Sequence, residues 1–316
     1  MHIFVSGSLA FDRIMDFPGR FVDHILPEKI HILNVCFMVN GLTERFGGTA
    51  GNIAYNLALL GESPSILATA GRDFGPYRER LGELGLPLTG IKEIPQEFTA
   101  GAYITTDLSD NQITGFNPGA MKYASEYRFD SLDPAAALAI VAPGNLEDML
   151  AYTRFYKGAG VRYIFDPGQS IPAWGGEELR EMADGALALI VNDYELEMFR
   201  QKTGREAADL LKLTPHLLTT RGEQGSLVQT DRGVDEIPAV PASQVLDPTG
   251  AGDAYRAGLL KGLALGLGWP EAARMGAVLA SFCVEQQGTQ EHRLEVSEFW
   301  GRFAENFGPP PEAAGR

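Results

Sequence analysis

One short segment near the C-terminal end of the chain combines small residues with a carboxylate. Residues Asp247–Asp253 read DPTGAGD, and apolar residues at helical spacing follow them. The small side chains of Gly250, Ala251 and Gly252 let the backbone approach a ligand, and the free N–H groups of a first helical turn attract an anion such as a phosphate. Asp253 repels that phosphate unless it takes a proton from an incoming hydroxyl. The segment favours phosphoryl transfer to an alcohol, and an ordinary capped helix start is the alternative.

A second glycine-rich helix start lies near the other end of the chain. Residues Phe46–Gly61 read FGGTAGNIAYNLALLG, in which Gly48 and Asn52 stand at the mouth of a predicted helix. The Asn52 amide can donate and accept hydrogen bonds at once, which suits the hydroxyls of a sugar. A glycine-rich turn that only feeds a structural helix is the alternative.

These two motifs together resemble the paired signatures of the ribokinase-like family of sugar and nucleoside kinases. Further stretches resemble the bacterial adenosine kinases within that family, among them Gly71–Arg78 (GRDFGPYR), Phe116–Met121 (FNPGAM) and Gly288–His292 (GTQEH). The resemblance implies that the first motif, with Gly48 and Asn52, holds substrate hydroxyls. It also implies that Asp253 is the catalytic base and that the backbone of the second motif holds the oxyanion.

The resemblance further implies that ATP is the phosphate donor. Thr220, Gly222 and Gly225 match a Thr-x-Gly-x-x-Gly turn whose backbone approaches ATP phosphates. The same glycines are explained equally well by a hairpin that leads into Leu227–Gln229.

Two metal ions follow from the same resemblance. Asn192 and Glu195 match an Asn-x-x-Glu motif that organises Mg²⁺ and its water, and oxygen ligands suit this cation. A cap at the start of a helix is the alternative for this pair. Asp247 matches a position that helps to form a monovalent-cation site, so K⁺ is a further candidate cofactor.

The predicted substrate is an uncharged nucleoside. The segment Phe98–Ala120 contains no lysine or arginine to hold a sugar phosphate. Asp12 can accept hydrogen bonds from ribose hydroxyls, and Tyr103 and Phe116 can sandwich a purine, unless they are ordinary strand aromatics. By resemblance, Gln169 belongs to a base-contacting loop. We predict ATP-dependent phosphorylation of the 5′-hydroxyl of adenosine or a related nucleoside; a ribokinase-like sugar kinase and a non-catalytic nucleoside-binding regulator are the alternatives.

Composition and missing motifs exclude other classes. The net charge of −15 argues against nucleic acid or an anionic membrane as a partner. The sequence contains no Walker loop, dinucleotide fingerprint or zinc-binding helix motif. No leader or bilayer-length apolar run is present, so the expected location is the cytoplasm, with Cys36 and Cys283 as buried thiols.

Alternating periodicities indicate the elements that position these residues. Strands are predicted at His2–Ser8, Ile66–Ala70, Leu138–Ala142, Arg162–Phe165, Leu187–Val191 and Leu217–Thr220. Helices are predicted at Asn52–Leu60, Tyr77–Leu84, Leu146–Lys157, Glu177–Met182 and Glu195–Gln201. This βαβ order predicts an α/β fold with a mostly parallel sheet, flanked by helices, and with ligands at the carboxyl ends of its strands.

Two segments, about 12–45 and 97–118, interrupt this order and are predicted to form strands outside the main sheet. In ribokinase-like enzymes the corresponding insertions form a small β lid over the substrate. The resemblance therefore implies a three-layer sandwich in which residues 1–316 form one domain with a lid. Exposed lid strands can also pair between subunits, which makes a homodimer the expected assembly.

Overall fold

A computed structural model describes residues 1–109, 111–130 and 132–315 of the chain. Within these residues the strands are β1 His2–Ser6, β2 Ala10–Asp16, β3 Asn40–Gly47, β4 Ser65–Gly71, β5 Ile91–Ile94, β6 Ala100–Thr106, β7 Gln112–Asn117, β8 Ala137–Val141, β9 Arg162–Phe165, β10 Ala188–Asn192, β11 Leu217–Thr220, β12 Ser226–Thr230 and β13 Gly233–Ile237. The helices in the same residues are α1 Thr49–Leu59, α2 Gly75–Glu83, α3 Leu146–Ala159, α4 Gly176–Ala183, α5 Asp193–Thr203, α6 Ala207–Leu210, α7 Ala251–Ala264, α8 Trp269–Cys283 and α9 Val296–Phe307.

The larger sheet has the strand order β13-β12-β11-β10-β9-β8-β1-β4-β5 in the described part of the chain. The strands from β11 through β5 in that order run parallel, and β12 and β13 form an antiparallel edge. The chain starts at β1, builds outward to β4 and β5, and returns to β8 on the other side of β1. Ligands of open α/β sheets bind outside the carboxyl ends of the strands where the order reverses in this way. The prediction of a mostly parallel sheet is confirmed.

Helices cover both faces of this sheet because its buried strands are apolar on both sides. In β1, Ile3 and Val5 pack into one apolar cluster with α1, α2, α7, α8 and α9. Phe4, which points to the opposite face, packs into a second cluster with α3, α4, α5 and α6. The molecule therefore has three layers, as predicted.

A separate small sheet has the order β3-β2-β6-β7. Its strands β2 and β3 lie at the two ends of the first predicted lid segment, whereas short 3₁₀ turns occupy Phe21–Asp23 and Pro27–Ile32 between them. An aromatic cluster replaces strand pairing there: the Phe17 and Phe21 rings stack at 5.7 Å, and the Phe21 N–H donates to the Asp107 carboxylate at 2.9 Å. We refer to this small sheet as the lid.

Two further expectations are tested by the same elements. Cys283 is buried, but Cys36 is exposed, so the prediction of two buried thiols is wrong for Cys36. Cys36 lies in the irregular segment that precedes β3 and not on a packed strand. Among the described helices, none has both the length and the apolar character needed to cross a bilayer.

Candidate active site

A cavity of about 290 Å³ opens where β8, β9, β10 and β11 end. These are the carboxyl ends of the parallel strands, and the strand order reverses between β1 and β8, so a ligand is predicted on this side of the sheet. Residues from six separate segments line it: Thr49, Pro143, Asp166, Gly168, Gln169, Asn192, Glu195, Thr220, Gly250, Gly252, Asp253 and Arg256. The structure thus brings together seven residues that the sequence predicted for the site, namely Gln169, Asn192, Glu195, Thr220, Gly250, Gly252 and Asp253.

The start of α7 forms one wall of this cavity. Gly250 precedes the helix with φ +82°, a left-handed conformation that favours glycine, and no described side chain caps the helix. The Ala251 N–H donates to the Pro248 carbonyl at 3.2 Å. The N–H groups that follow in the first turn have no acceptor within the helix, and they form the positive end of the helix dipole. The wall therefore offers a binding site for an anion.

The start of α1 looks similar in sequence but differs in its hydrogen bonds. The N–H groups of Ala50 and Gly51 donate to the Ser8 carbonyl at 3.0 and 3.3 Å. These two donors are therefore already used and are not free to bind an anion. Gly48 has φ +89°, and a Cβ atom there would lie 2.6 Å from the same carbonyl. Gly48 therefore lets α1 pack tightly on the loop after β1, and its predicted contact with substrate stays a prediction.

Asp253 lies in the first turn of α7 with its carboxylate on the cavity. Its Oδ2 accepts a hydrogen bond from Asn52 Nδ2 at 2.8 Å. Burial raises the pKa of Asp253 to about 7, and the nearby carboxylates of Asp166 and Glu195 act in the same direction, against Arg256 and Asn52. A carboxylate with this pKa is a suitable proton acceptor near neutral pH.

We expect activity to fall at acidic pH because only the ionised form of Asp253 can accept a proton. The value of kcat/KM should be constant well above pH 7 and should fall about tenfold per pH unit below it, since the carboxyl group is then protonated. A pH profile of kcat/KM, measured with buffers of constant ionic strength, checks this. An acid limb near pH 4, the ordinary range of an aspartate, would contradict the assignment of Asp253.

Arg256 and Asp166 form a buried ion pair in the cavity wall that the sequence analysis missed. Arg256 Nη2 donates to Asp166 Oδ1 at 2.8 Å, and Arg256 Nε donates to Asp166 Oδ2. Arg256 Nη1 also donates to the Gly252 carbonyl at 3.0 Å. A signal was available, because Arg256 follows Asp253 by three positions, which places both on one face of a helix. The pair joins the loop that carries Gln169 to α7.

Asn192 and Glu195 form the helix cap that was the alternative to a metal site. Asn192 Oδ1 accepts from the Glu195 N–H at 2.7 Å, and Glu195 Oε2 accepts from the Asn192 N–H at 2.8 Å. Both side chains nevertheless line the cavity, and burial raises the pKa of Glu195. In the described residues no cluster of three or more His, Cys, Asp or Glu could hold a metal. A Mg²⁺ ion here fits only if phosphate oxygens and water supply its other ligands, as is usual for this ion.

The turn after β11 is the hairpin that the sequence left as an alternative. Strands β11 and β12 are antiparallel, and the Arg221 N–H donates to the Gly225 carbonyl at 2.8 Å. A Cβ atom at Gly225 would lie 2.0 Å from the Ile237 carbonyl, so packing alone requires this glycine. Thr220, which pairs with Asn192 across β10 and β11, is the part of the turn that lines the cavity. A phosphate contact by Gly222 or Gly225 stays a prediction.

The Asp247 carboxylate joins the loop before α7 to the segment after α8. Its two oxygens accept from the N–H groups of Thr249 at 2.9 Å and Gly288 at 3.0 Å. These hydrogen bonds outweigh the effect of burial and lower the pKa of Asp247. An ionised carboxylate in this position remains a candidate ligand for a monovalent cation.

The register of the lid corrects the predicted base sandwich. Asp12, Ala102 and Phe116 are neighbours across β2, β6 and β7 and share one face of the sheet. Tyr103 is one residue out of step and therefore points to the opposite face, where its hydroxyl accepts from Arg13 Nη1 at 3.1 Å. Tyr103 and Phe116 of one lid cannot sandwich one base, so this prediction is wrong.

Asp12 and Phe116 occupy the lid face that borders the start of α1. A Cβ atom at Gly47 would lie 2.8 Å from Asp12 Oδ2, which places this carboxylate beside the first glycine motif. Burial raises the pKa of Asp12, Asp247 adds to this rise, and Arg45 opposes it. Phe116 is 55% exposed and has room to contact a ligand.

The lid also carries two cations outside the segment Phe98–Ala120, namely Arg13 on β2 and Arg45 on β3. Arg13 bonds Glu44 and Asp73 at 2.8 Å each, on the face away from Asp12. Arg45 Nη2 donates to Gln287 Oε1 at 3.2 Å and lies opposite Asp12 in the register. Strands β6 and β7 therefore lack a cation that could hold a sugar phosphate, whereas β2 and β3 each carry one.

Comparisons with known proteins show the family and the fold of this chain. The model of the pfkB family carbohydrate kinases matches residues 19–295. The chain is 33% identical over 266 residues to a nucleoside kinase of Methanocaldococcus jannaschii, covering 83% of this chain and 87% of that protein. The crystal structure of a nucleoside kinase of that organism, described as an archaeal member of the ribokinase family, superposes with a TM-score of 0.86 at 30% identity, covering 96% of this chain and 99% of that one.

A bacterial nucleoside kinase is also similar. The structure of the Burkholderia thailandensis enzyme in complex with inosine has a TM-score of 0.84 at 39% identity, covering 98% of this chain and 99% of that one. Its complex described as ADP-inosine has a TM-score of 0.82 at 40% identity, covering 98% and 97%. These likenesses confirm the ribokinase-like fold. The chain belongs to the pfkB family of carbohydrate kinases and is a phosphotransferase that acts on a hydroxyl group.

Proposed function

We propose that this protein transfers the γ-phosphoryl group of ATP to the 5′-hydroxyl of a purine nucleoside. The observation that carries the proposal is the meeting of two groups in one cavity: the Asp253 carboxylate and the uncapped start of α7 at Gly250 and Gly252. A proton acceptor beside an anion site is the arrangement that phosphoryl transfer to an alcohol requires.

The roles of the groups follow from their positions. Asn52 holds Asp253 Oδ2, and among the described residues no donor bonds Oδ1, which leaves that oxygen for the substrate hydroxyl. The N–H groups at the start of α7 stabilise negative charge on the phosphoryl group during transfer. Because an alcohol is far less acidic than a carboxylic acid and the transition state is loose, Asp253 accepts the proton late. Glu195 and Asn192 would hold Mg²⁺ through water, and the ion would neutralise phosphate charge.

The purine nucleoside is proposed from the relatives and from the lid. The relatives named above are nucleoside kinases, and one binds inosine. In this chain Asp12 supplies acceptors for ribose hydroxyls, Phe116 supplies an aromatic face, and the Gln169 amide can donate and accept hydrogen bonds at a base edge. An amide serves a 6-oxo and a 6-amino purine equally, so we propose that both inosine and adenosine are substrates.

Truncation of one lid aromatic should weaken nucleoside binding, whereas truncation of the other should not. We expect Phe116→Ala to raise the KM for the nucleoside about 5- to 150-fold, because losing one base-stacking contact typically costs ~1–3 kcal/mol. The KM for ATP should stay within about twofold because Phe116 lies on the lid and not on the α7 wall. Tyr103→Ala is the matched control, since its side chain is on the opposite lid face. Equal effects of the two substitutions, or a larger effect of Tyr103→Ala, would argue against stacking by Phe116.

We also propose three further properties, which concern the assembly, a monovalent cation and the location of the protein. The homodimer would pair lid edges, because every residue of the edge strand β7 is exposed. K⁺ would bind beside Asp247, and the protein would work in the cytoplasm. Sedimentation of the purified protein and the dependence of its activity on K⁺ test the first two.

A further inference from the structure

A chain of hydrogen bonds, buried except for the half-buried last one, connects the lid to the candidate catalytic base. Tyr77 Oη donates to the Gly47 carbonyl at 2.8 Å, and Gln290 Nε2 donates to Tyr77 Oη at 2.7 Å. The same Gln290 Nε2 donates to Asn52 Oδ1 at 3.0 Å, and Asn52 Nδ2 donates to Asp253 Oδ2 at 2.8 Å. Tyr77 and Gln290 are both fully buried.

The direction of every bond in this chain follows from its first member. The Gly47 carbonyl can only accept, so the Tyr77 hydroxyl must donate to it and offers only its lone pairs to Gln290. Gln290 must therefore turn its NH₂ group toward Tyr77, and the same group meets Asn52. Asn52 must in turn present its oxygen to Gln290, which leaves its NH₂ group for Asp253.

One buried atom supports this reading. Gln290 Oε1 is buried and has no hydrogen-bond partner in the described part of the chain. A buried carbonyl without a partner is costly, and such groups in native structures call for an explanation. The explanation here is that the Gln290 NH₂ group serves both Tyr77 and Asn52, so the amide cannot turn to satisfy its own oxygen. Gly51 makes the approach of Tyr77 feasible, because a Cβ atom there would lie 1.8 Å from Tyr77 Oη.

We propose that Tyr77 and Gln290 are positioning residues that fix the orientation of the Asn52 amide and so keep a hydrogen-bond donor directed at Asp253. Neither residue lines the cavity, so both act through Asn52. A flipped Asn52 would face Asp253 with its carbonyl oxygen, which repels a carboxylate and accepts a hydrogen bond only from the protonated acid. The inference rests on the proposed role of Asp253 as the proton acceptor.

Other charged groups face Asp253 and must be separated from this effect. Arg256 lies on the same helix, Asp166 follows β9, and Glu195 lies on α5. Tyr77 on α2 and Cys283 on α8 also face it, but burial raises the pKa of each so that both are neutral at the working pH. Of these groups, the variants below change only Tyr77, which is neutral. A change in the pKa of Asp253 therefore does not come from the loss of a neighbouring charge.

The test measures the pKa of Asp253 directly. Carboxyl ¹³C NMR of protein labelled at aspartate gives this value, and Asp253→Asn identifies the resonance. We expect Gln290→Met and Tyr77→Phe each to raise the pKa of Asp253 by about one unit, because a hydrogen bond to a charged group is weakened. At pH 6 the value of kcat/KM should fall about tenfold relative to wild type, while at pH 9 it should stay within about twofold.

Tyr55→Phe is the matched control for these variants. It also removes a buried tyrosine hydroxyl that donates to a backbone carbonyl, in this case that of His292, but it does not reach the Asn52 side chain. Its Asp253 pKa should equal that of wild type. If Gln290→Met does not fold, the pKa of Asp253 in Tyr77→Phe alone tests the proposal. An unchanged Asp253 pKa in the folded variants, or an equal change in Tyr55→Phe, would overturn the proposal.

The NMR readout keeps this inference separate from the proposed function. A wild-type protein that phosphorylates no nucleoside would overturn the proposed function and not the orientation of Asn52. Normal wild-type turnover with an unmoved Asp253 pKa would overturn only the role of Tyr77 and Gln290.

Discussion

Replacement of Asp253 by asparagine is expected to lower kcat by a factor on the order of 10²–10⁴, the usual contribution of a positioned general base. The variant should fold, because the two side chains have the same shape and the new amide oxygen can still accept from Asn52. It should also bind nucleoside with a Kd close to that of wild type, since the proposed contacts of Phe116 with the base and of Asp12 with ribose lie elsewhere and the new amide can still hydrogen-bond to the 5′-hydroxyl. Steady-state kinetics and calorimetric binding of the nucleoside measure the two effects.

Asp193→Asn provides the control for this substitution. Asp193 is also an acidic residue in the first turn of a helix, α5, but it is exposed and outside the cavity lining. Its replacement should leave kcat within about twofold, because surface changes away from special features have small effects. Turnover of Asp253→Asn near the wild-type rate would remove Asp253 from the chemistry.

Arg256→Met is expected to lower the free energy of unfolding by about 3–5 kcal/mol. The methionine leaves Asp166, whose side chain is 2% exposed, as a buried carboxylate without its cation. Such a carboxylate loses its hydration on folding without forming an ion pair that compensates for it. The Gly252 carbonyl also loses its hydrogen-bond donor. Urea denaturation followed by circular dichroism measures the change.

The double variant Asp166→Asn/Arg256→Met separates the lost charge pair from lost packing. Because it leaves no unpaired charge, it should recover a large part of the stability lost in the single variant. Arg274→Met on α8 is the control: its ion pair with Glu271 is long, at 3.7 Å, and only partly buried, so its loss should cost about 1 kcal/mol or less. A double variant less stable than Arg256→Met would show that the pair does not act as a buried ion pair.

Much of the large sheet and of the cavity could be predicted from sequence because both depend on local signals. Apolar runs such as Leu217–Thr220 and the helical spacing after Gly250 are properties of a few neighbouring residues. Once a parallel sheet is predicted, residues at the carboxyl ends of its strands must meet at one edge. This is why Asn192 and Thr220, from different strands, were expected in one site and line one cavity.

The parts that the sequence did not predict depend on contacts between distant residues. The faces of Tyr103 and Phe116 depend on the pairing register of β6 with β7, and a shift of one residue moves a side chain to the other face. The contact between Arg256 and Asp166 spans 90 positions, and that between Gln290 and Asn52 spans 238. The short strand β5 carries Lys92 and Glu93 in its middle and lacks an apolar run.

The most direct measurement is the identity of the phosphorylated product. Purified protein is incubated with ATP and Mg²⁺ and, in parallel, with inosine, adenosine or ribose, and the products are identified and timed by mass spectrometry against authentic 5′-monophosphates. We expect inosine and adenosine to yield their 5′-monophosphates at rates that Asp253→Asn lowers by a factor on the order of 10²–10⁴, with ribose a poor substrate. Phosphorylation of ribose with a kcat/KM that matches or exceeds that of both nucleosides, or the absence of any nucleoside monophosphate, would contradict the proposed function.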